Sequence, residues 1–272
     1  MTKPRLFGAA GERRCGDKQM IINVYKLIPE LFLGIHVPPE MVEEFQTKAR
    51  NFFSFFDPSN AFFADNLFTC GKTLEYLRNP RFREIVDRNA VEENEQTMIW
   101  RIHILCWAAR TCLGLAGYFV ELGCHNGYMA RCIAEFTDFV NTSKEFYLYD
   151  VLDDPSRAQG APGHGPDPFD VVKDRFTDHP NVTVISGLIP DILETEAPEE
   201  IAFMHINMNS VTAEIGALDC LFDRVTPGGI IILNDYGHGA FAAQKEAKDM
   251  FLAMRGHAIL ELPTGQGLVV KR

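Results

Sequence analysis

The run Glu121-Leu122-Gly123-Cys124-His125-Asn126-Gly127 puts an acid ahead of two glycines four apart. Glycines so spaced allow a tight turn and a close approach of ligand to backbone. The acid suits a ligand that carries a cation. The spacing is not GxGxxG, so a dinucleotide pyrophosphate lacks its usual cradle. Tyr149-Asp150 follows 27 residues after Gly123, about one βαβ step. An acid at that strand end can take both hydroxyls of a ribose. Ser186-Gly187 lies where an adenine ring can rest on backbone. Two further stretches, Ile206-Asn207-Met208-Asn209 and Leu233-Asn234-Asp235-Tyr236, bring two carboxamides and one carboxylate to neighbouring strand ends. His205 precedes Asn207 by two residues and shares its face. His238 follows Asp235 on a loop. Each stretch has a plainer reading: a simple strand-to-helix turn, a solvated strand-end acid, a structural histidine.

These residues need a sheet to align them. After Gly117 the pattern alternates strand and helix. The candidate strands are Tyr118–Leu122, Phe146–Asp150, Val182–Ser186, Ile201–Asn207, Ile230–Asn234, Ala258–Glu261 and Gly267–Lys271. The candidate helices are Gly127–Phe139, Phe169–Asp178, Val211–Val225 and Ala240–Met254. Apolar Val211, Ile215, Leu218, Phe222 and Val225 keep a 3.6 period, and Pro227-Gly228-Gly229 ends that helix. Ile230-Ile231-Ile232-Leu233 is an uninterrupted apolar run, as in a strand covered on both faces. This alternation predicts an α/β fold: a Rossmann-like doubly wound sheet, mostly parallel. Only Leu262 to Gln266 join the last two strands, so they pair as an antiparallel hairpin. Ligands of such sheets bind at the carboxyl ends of the strands, where the stretches above fall.

Before Gly117 the pattern is helical, without convincing strand alternation. Helices are expected from Pro39 to about Phe56, over Arg81 to Asn89, and over Glu93 to Leu113. The last has apolar Met98, Ile99, Ile102, Leu105, Trp107 and Ala109, and reads as buried. Residues 1–97 are expected to form a helical cap, lid or oligomerisation region, and 98–272 the sheet domain. Nine of the 21 phenylalanines lie between Phe32 and Phe68. They either pack this part against the rest or form a lid or a subunit interface, and a homodimer or larger assembly is expected. Leu152 to Pro168 is rich in Pro and Gly and reads as a mobile loop over the ligand. His164 within it reads as a solvated residue.

Composition excludes several classes. Apolar residues make up 46% and charged residues 23%, a globular balance. A net charge of −11 repels phosphate backbones and anionic lipid. The longest uncharged run, Ile201 to Ala213, is too short to span a membrane. No secretory signal is visible in MTKPRLFGAAGERR. The seven cysteines include no CxxC pair, which suits reduced thiols in a cytoplasm.

Taken together, Glu-x-Gly-x-x-x-Gly, Tyr-Asp after the second strand and Pro-Gly-Gly before the fifth resemble class I S-adenosylmethionine (SAM) dependent methyltransferases. Trp100-Arg101-Ile102-His103, Phe119–Gly123, Ile201–Asn209, Asn234–Gly237 and Leu262–Gly267 narrow the resemblance to the macrocin O-methyltransferase (TylF/MycF-type) group, over about residues 98 to 272. The resemblance implies methyl transfer to a hydroxyl of a sugar or other natural-product scaffold. It implies that Glu121, Gly123 and Gly127 line the methionine end of SAM, that Asp150 holds the ribose and that Gly187 borders the adenine. Asn126, Val151 and Asn207 complete the implied cofactor set.

The chain departs from that group at the metal site. The group places aspartates where this chain has Asn207, Asn234 and Asp235. Hard Mg²⁺ prefers charged oxygen, and an amide cannot act as a general base. A degenerate site and no bound metal are therefore expected. The base would be His238, His205 or Asp235, in a metal-independent enzyme acting on a small-molecule acceptor. A SAM-binding protein that does not methylate is the alternative, and a NAD-type oxidoreductase is disfavoured by the missing GxGxxG.

Overall fold

The structure is a computed structural model that describes residues 38–56, 61–65, 67–92, 95–150 and 168–272. Val151, His164, Phe32 and nearly all of the Leu152–Pro168 loop lie outside the described residues.

The first described helix, α1 (Val42–Phe53), follows a single turn begun by Pro39. It is succeeded by a strand pair, β1 (Ala61–Ala64) and β2 (Leu67–Cys70), which form an antiparallel hairpin. The expectation of an all-helical N-terminal part is corrected here. The signal was four residues per strand, too short for periodicity to register. Phe53 and Phe63 pack at 5.1 Å, and Phe52, Phe53 and Phe56 all pack on Phe68. The phenylalanine pairs thus join α1 to the hairpin. Phe55 and Phe52 remain exposed, at 86% and 53%.

A short helix, α2 (Glu75–Arg78), leads into α3 (Pro80–Asn89). The Asn79 side chain accepts from the Phe82 amide, and Pro80 occupies the first turn, the usual start of a helix. Next, α4 (Ile99–Cys112) buries most of its length, but Trp107 is 51% exposed, against expectation.

The α/β region begins with β3 (Tyr118–Leu122), α5 (Tyr128–Thr137), β4 (Phe146–Asp150), α6 (Pro168–Asp174) and β5 (Val182–Ser186). It continues with α7 (Leu193–Glu196), β6 (Ile201–Ile206), α8 (Val211–Leu221) and β7 (Val225–Leu233). It closes with α9 (Ala242–Met254), β8 (Leu260–Glu261) and β9 (Gly267–Val270). The sheet order is β5-β4-β3-β6-β7-β9-β8. The first five strands in that order are parallel, and β9 pairs antiparallel with both β7 and β8. The doubly wound, mostly parallel sheet with a terminal hairpin is as expected.

Alternation along the strands feeds two cores. Phe119, Ile230 and Ile232 face the side covered by α3, α4 and α5. Val120, Met204, Ile231 and Leu233 face the side covered by α8 and α9. Helix α8 departs from the expected period. Val211 is 37% exposed, whereas Glu214 is buried and pairs with buried Lys248 of α9 at 2.7 Å. Pro227-Gly228-Gly229 lies inside β7 rather than between helix and strand, and the pairing register with β6 shifts there.

Candidate active site

The strand order reverses between β3 and β6, which opens the crevice where ligands of doubly wound sheets bind. Gly123 lies at that point with φ +82°, and a Cβ there would come within 2.3 Å of the Asn207 carbonyl oxygen. Only glycine closes this turn. Gly127 (φ +79°) ends it and begins α5, and the exposed His125 between them is also left-handed.

Two acids hold the turn in shape. The His125 amide donates to Asp150 Oδ2 at 2.7 Å, so the β4 terminus ties down the β3 terminus. Asn126 donates through Nδ2 to buried Glu95 Oε1 at 2.7 Å, while its Oδ1 accepts from the Tyr128 amide. Asn126 thus positions the turn with its side chain fully engaged. Glu95 also accepts the amides of Val91 and Glu92. Gly187 donates its amide to the Asp150 carbonyl, which brings the ends of β4 and β5 side by side. Its missing side chain is required by Ile192, which a Cβ would meet at 2.8 Å.

At the ends of β6 and β7 the amides form a chain. Gln266 Nε2 lies 3.5 Å from Asn234 Oδ1; Asn234 Nδ2 donates to Asn207 Oδ1 at 2.8 Å; Asn207 Nδ2 lies 3.3 Å from the Gly123 carbonyl. Beside this chain sits Arg101 of α4, only 2% exposed. Its Nε donates to Asp65 Oδ2 at 2.5 Å, and one terminal nitrogen donates to Asp65 Oδ1 at 3.1 Å. The other donates to Asp235 Oδ1 at 2.6 Å. The nitrogen shared with Asp65 also lies 2.7 Å from His238 Nε2. A guanidinium only donates, so His238 accepts at Nε2 and carries its proton on Nδ1. Burial and the Arg101 charge hold the His238 pKa below the ordinary histidine value. Burial alone would lower the pKa of Arg101; the carboxylates of Asp65 and Asp235 more than reverse this.

The structure revises the roles expected for three residues. His205 is fully buried and faces fully buried Glu121, with Nδ1 and Oε1 3.5 Å apart. Neither side chain has a surface that a ligand could touch, because the α4-side core covers that face of β3 and β6. His205 is therefore no base, and Glu121 does not line the methionine end. His238 is near the strand ends, but its one lone-pair nitrogen is occupied by Arg101. It cannot take a proton from an acceptor while that bond stands. Asp235 differs: among the described residues its Oδ2 has only a 3.4 Å contact from Asn234, and its side chain is 14% exposed.

Arg101, Asp65, Glu95 and Gln266 were missed. Arg101 had a sequence signal: one arginine in the apolar stretch Met98–Cys106 must bury its charge against carboxylates. No signal pointed to Asp65 as that carboxylate.

The residues do not fit a divalent cation. Both amide oxygens at Asn207 and Asn234 already face N–H groups, and Asp235 is held by a guanidinium. Among the described residues, no group of three or more His, Cys, Asp or Glu is placed to hold a metal ion. They do fit a nucleoside. The glycine turn at the switch point and the Asp150 carboxylate at the next strand end are the donor set that this ligand needs.

Sheet order and crevice are those of a Rossmann-like doubly wound fold. Residues 168–259, about a third of the chain, match the macrocin-O-methyltransferase (TylF) family model. It resembles the solved O-methyltransferase NovP (TM-score 0.54, 17% identity, covering 70% of this chain and 88% of that one). It also resembles CalS11, a TDP-rhamnose 3′-O-methyltransferase of calicheamicin biosynthesis (TM-score 0.52, 14% identity, 89% and 97% covered). A putative caffeoyl-CoA O-methyltransferase from Staphylococcus aureus is similar too (TM-score 0.51, 12% identity, 73% and 96% covered). These are likenesses of fold. No curated protein matches the chain in sequence. No helix among the described residues is long and apolar enough to cross a membrane.

Proposed function

We propose that this protein transfers the methyl group of SAM to a hydroxyl of a small-molecule acceptor without help from a divalent cation. The observation that carries this reading is the Arg101–Asp235 pair beside the Asn207–Asn234 amide chain. A fixed guanidinium stands where a metal enzyme would need carboxylates free for an ion.

When bound, SAM supplies an electrophilic methyl group on a sulfonium. Asp150 holds the ribose, Gly187 borders the adenine, and the Gly123–Gly127 turn presents backbone to the methionine end. Asn207 closes the crevice next to Gly123. Asp235 Oδ2 would take the proton that the acceptor hydroxyl gives up as it is methylated. Arg101 positions Asp235, and His238 positions Arg101. The main contribution is alignment, which can be worth roughly 7–11 kcal/mol. Methyl transfer from labelled SAM should persist in EDTA. Loss of transfer in EDTA and its return with Mg²⁺ would overturn the metal-independent reading.

The division of labour is also a proposal: 98–272 as the SAM domain, 1–97 as its cap. Exposed Phe52 at the end of α1 and Phe55 just beyond it support a homodimer through this cap. Light scattering at micromolar concentration tests it, and a monomer would refute it.

A further inference from the structure

Gly127 has no Cβ, so the peptide that joins it to Asn126 can face either way without a side-chain clash. In this turn that peptide is pinned at both ends. The Gly127 amide donates to the Cys124 carbonyl at 2.7 Å. The Asn126 carbonyl accepts from Arg175 Nη1 at 2.9 Å. Arg175 stands just beyond the end of α6 and is half-buried. Its second terminal nitrogen donates to the carbonyl of Asn89, the last residue of α3. One guanidinium thus bridges two carbonyls from separate parts of the chain.

The arginine is itself held in place. Its carbonyl accepts from Arg131 of α5 at 2.8 Å. The turn also lies directly against this segment: a Cβ on Gly127 would meet Phe176 at 3.0 Å, Val172 at 3.3 Å and the Arg175 stem at 3.6 Å. Glu95 acts on the same residue through its side chain, accepting from Asn126 Nδ2 at 2.7 Å. Burial lowers the Arg175 pKa, and the nearby Glu95 charge works against that lowering. A cation and an anion therefore grip Asn126 together, one by its backbone and the other by its side chain.

From this grip we propose that Arg175 is a positioning residue for SAM: it selects the orientation of the Asn126–Gly127 peptide in which the turn receives the methionine end of the cofactor. The inference rests on the reading of SAM as the ligand of this crevice. Glycine stereochemistry does not choose between the two orientations, so the choice falls to the groups that bond the peptide. A hydrogen bond from a charged donor is among the stronger ones available for this. When the binding-competent form is only a fraction of the population, apparent affinity drops by that fraction. Loss of the guanidinium frees the peptide and reduces the competent fraction. The nucleoside end of the cofactor is assigned to Asp150 and Gly187, so its affinity should not follow.

The test uses the full chain. Calorimetry measures the Kd of S-adenosylhomocysteine, which carries the amino-acid tail, and of 5′-methylthioadenosine, which lacks it. Arg175→Met keeps the stem against Gly127 and removes both donors. It should raise the S-adenosylhomocysteine Kd at least about fivefold and leave the 5′-methylthioadenosine Kd within about twofold. Arg175→Lys keeps a charged donor and should recover part of the lost affinity. An unchanged S-adenosylhomocysteine Kd in Arg175→Met, or no recovery in Arg175→Lys, would overturn the inference. Equal weakening of both ligands would also overturn it, because Arg175 would then support the whole crevice and not the turn. Should circular dichroism show Arg175→Met unfolded, the ratio of the two Kd values is read in Arg175→Lys, where a rise supports the inference and an unchanged ratio refutes it. Failure of the unmodified chain to bind S-adenosylhomocysteine would instead overturn the reading on which the inference rests.

Discussion

Removing the carboxylate of Asp65 tests whether the hairpin holds the buried Arg101. Asp65 sits at the tip of the β1–β2 hairpin, and both of its oxygens accept from Arg101, at 2.5 and 3.1 Å. Both side chains are nearly buried, at 2% exposure for Arg101 and 7% for Asp65. Without Asp65, Arg101 keeps one carboxylate, Asp235, and the His238 contact. Taking one partner from a buried ion pair typically costs about 3–5 kcal/mol. Asp65→Ala should fall in that range. Asp65→Asn keeps one acceptor oxygen and should cost less, about 2–3 kcal/mol, the value of one charge-assisted hydrogen bond. Urea unfolding followed by circular dichroism reads both, with stability taken from the linear extrapolation. The SAM Kd should change less than threefold, because Asp65 makes no described contact with the Gly123–Gly127 turn, whereas kcat should fall as Asp235 loses its fixed neighbour. A loss below 1 kcal/mol in Asp65→Ala would show that the guanidinium does not depend on the hairpin, and the positioning argument would fail.

Further outcomes follow from the same geometry. Asp150→Ala should weaken SAM binding at least tenfold, since a hydrogen bond to a charged group is worth about 1.5–3 kcal/mol and the mutation also frees the His125 amide; an unchanged Kd would mean that the nucleoside lies elsewhere. His205→Ala should cost about 2–5 kcal/mol by opening a cavity at a fully buried position, and kcat per folded molecule should stay within a few-fold, a large loss implying that His205 reaches the substrate after all. Burial lowers the pKa of His103, and burial together with Arg101 lowers that of His238, so the unfolded chain takes up their protons first. Their contribution is complete above pH 6.5 and declines as the pH falls below it. The double variant His103→Gln/His238→Gln should show a flatter fall in stability on acidification from pH 7, measured by denaturation at a series of pH values.

Much of the sheet was legible because its physics is local. The run Ile230–Leu233 can only be a strand covered on both faces. The five residues from Leu262 to Gln266 can only make a hairpin connection. The glycine turn and Asp150 were legible for the same reason, since position relative to a strand end follows from the alternation. What tertiary structure decided is which polar groups meet. His205 and His238 look alike in sequence, two residues before and three residues after strand-end polar groups. Only the packing of α4 over β6 and β7 seals the first with Glu121, and only the guanidinium of Arg101 occupies the lone pair of the second. Asp65 and Asp235 are 170 positions apart, and no spacing rule joins them. A buried arginine does announce that carboxylates must surround it, because a lone charge cannot be left in a core. Which carboxylates they are depends on the path of the whole chain, and that path gathers Asp65, Asp235 and His238 around Arg101.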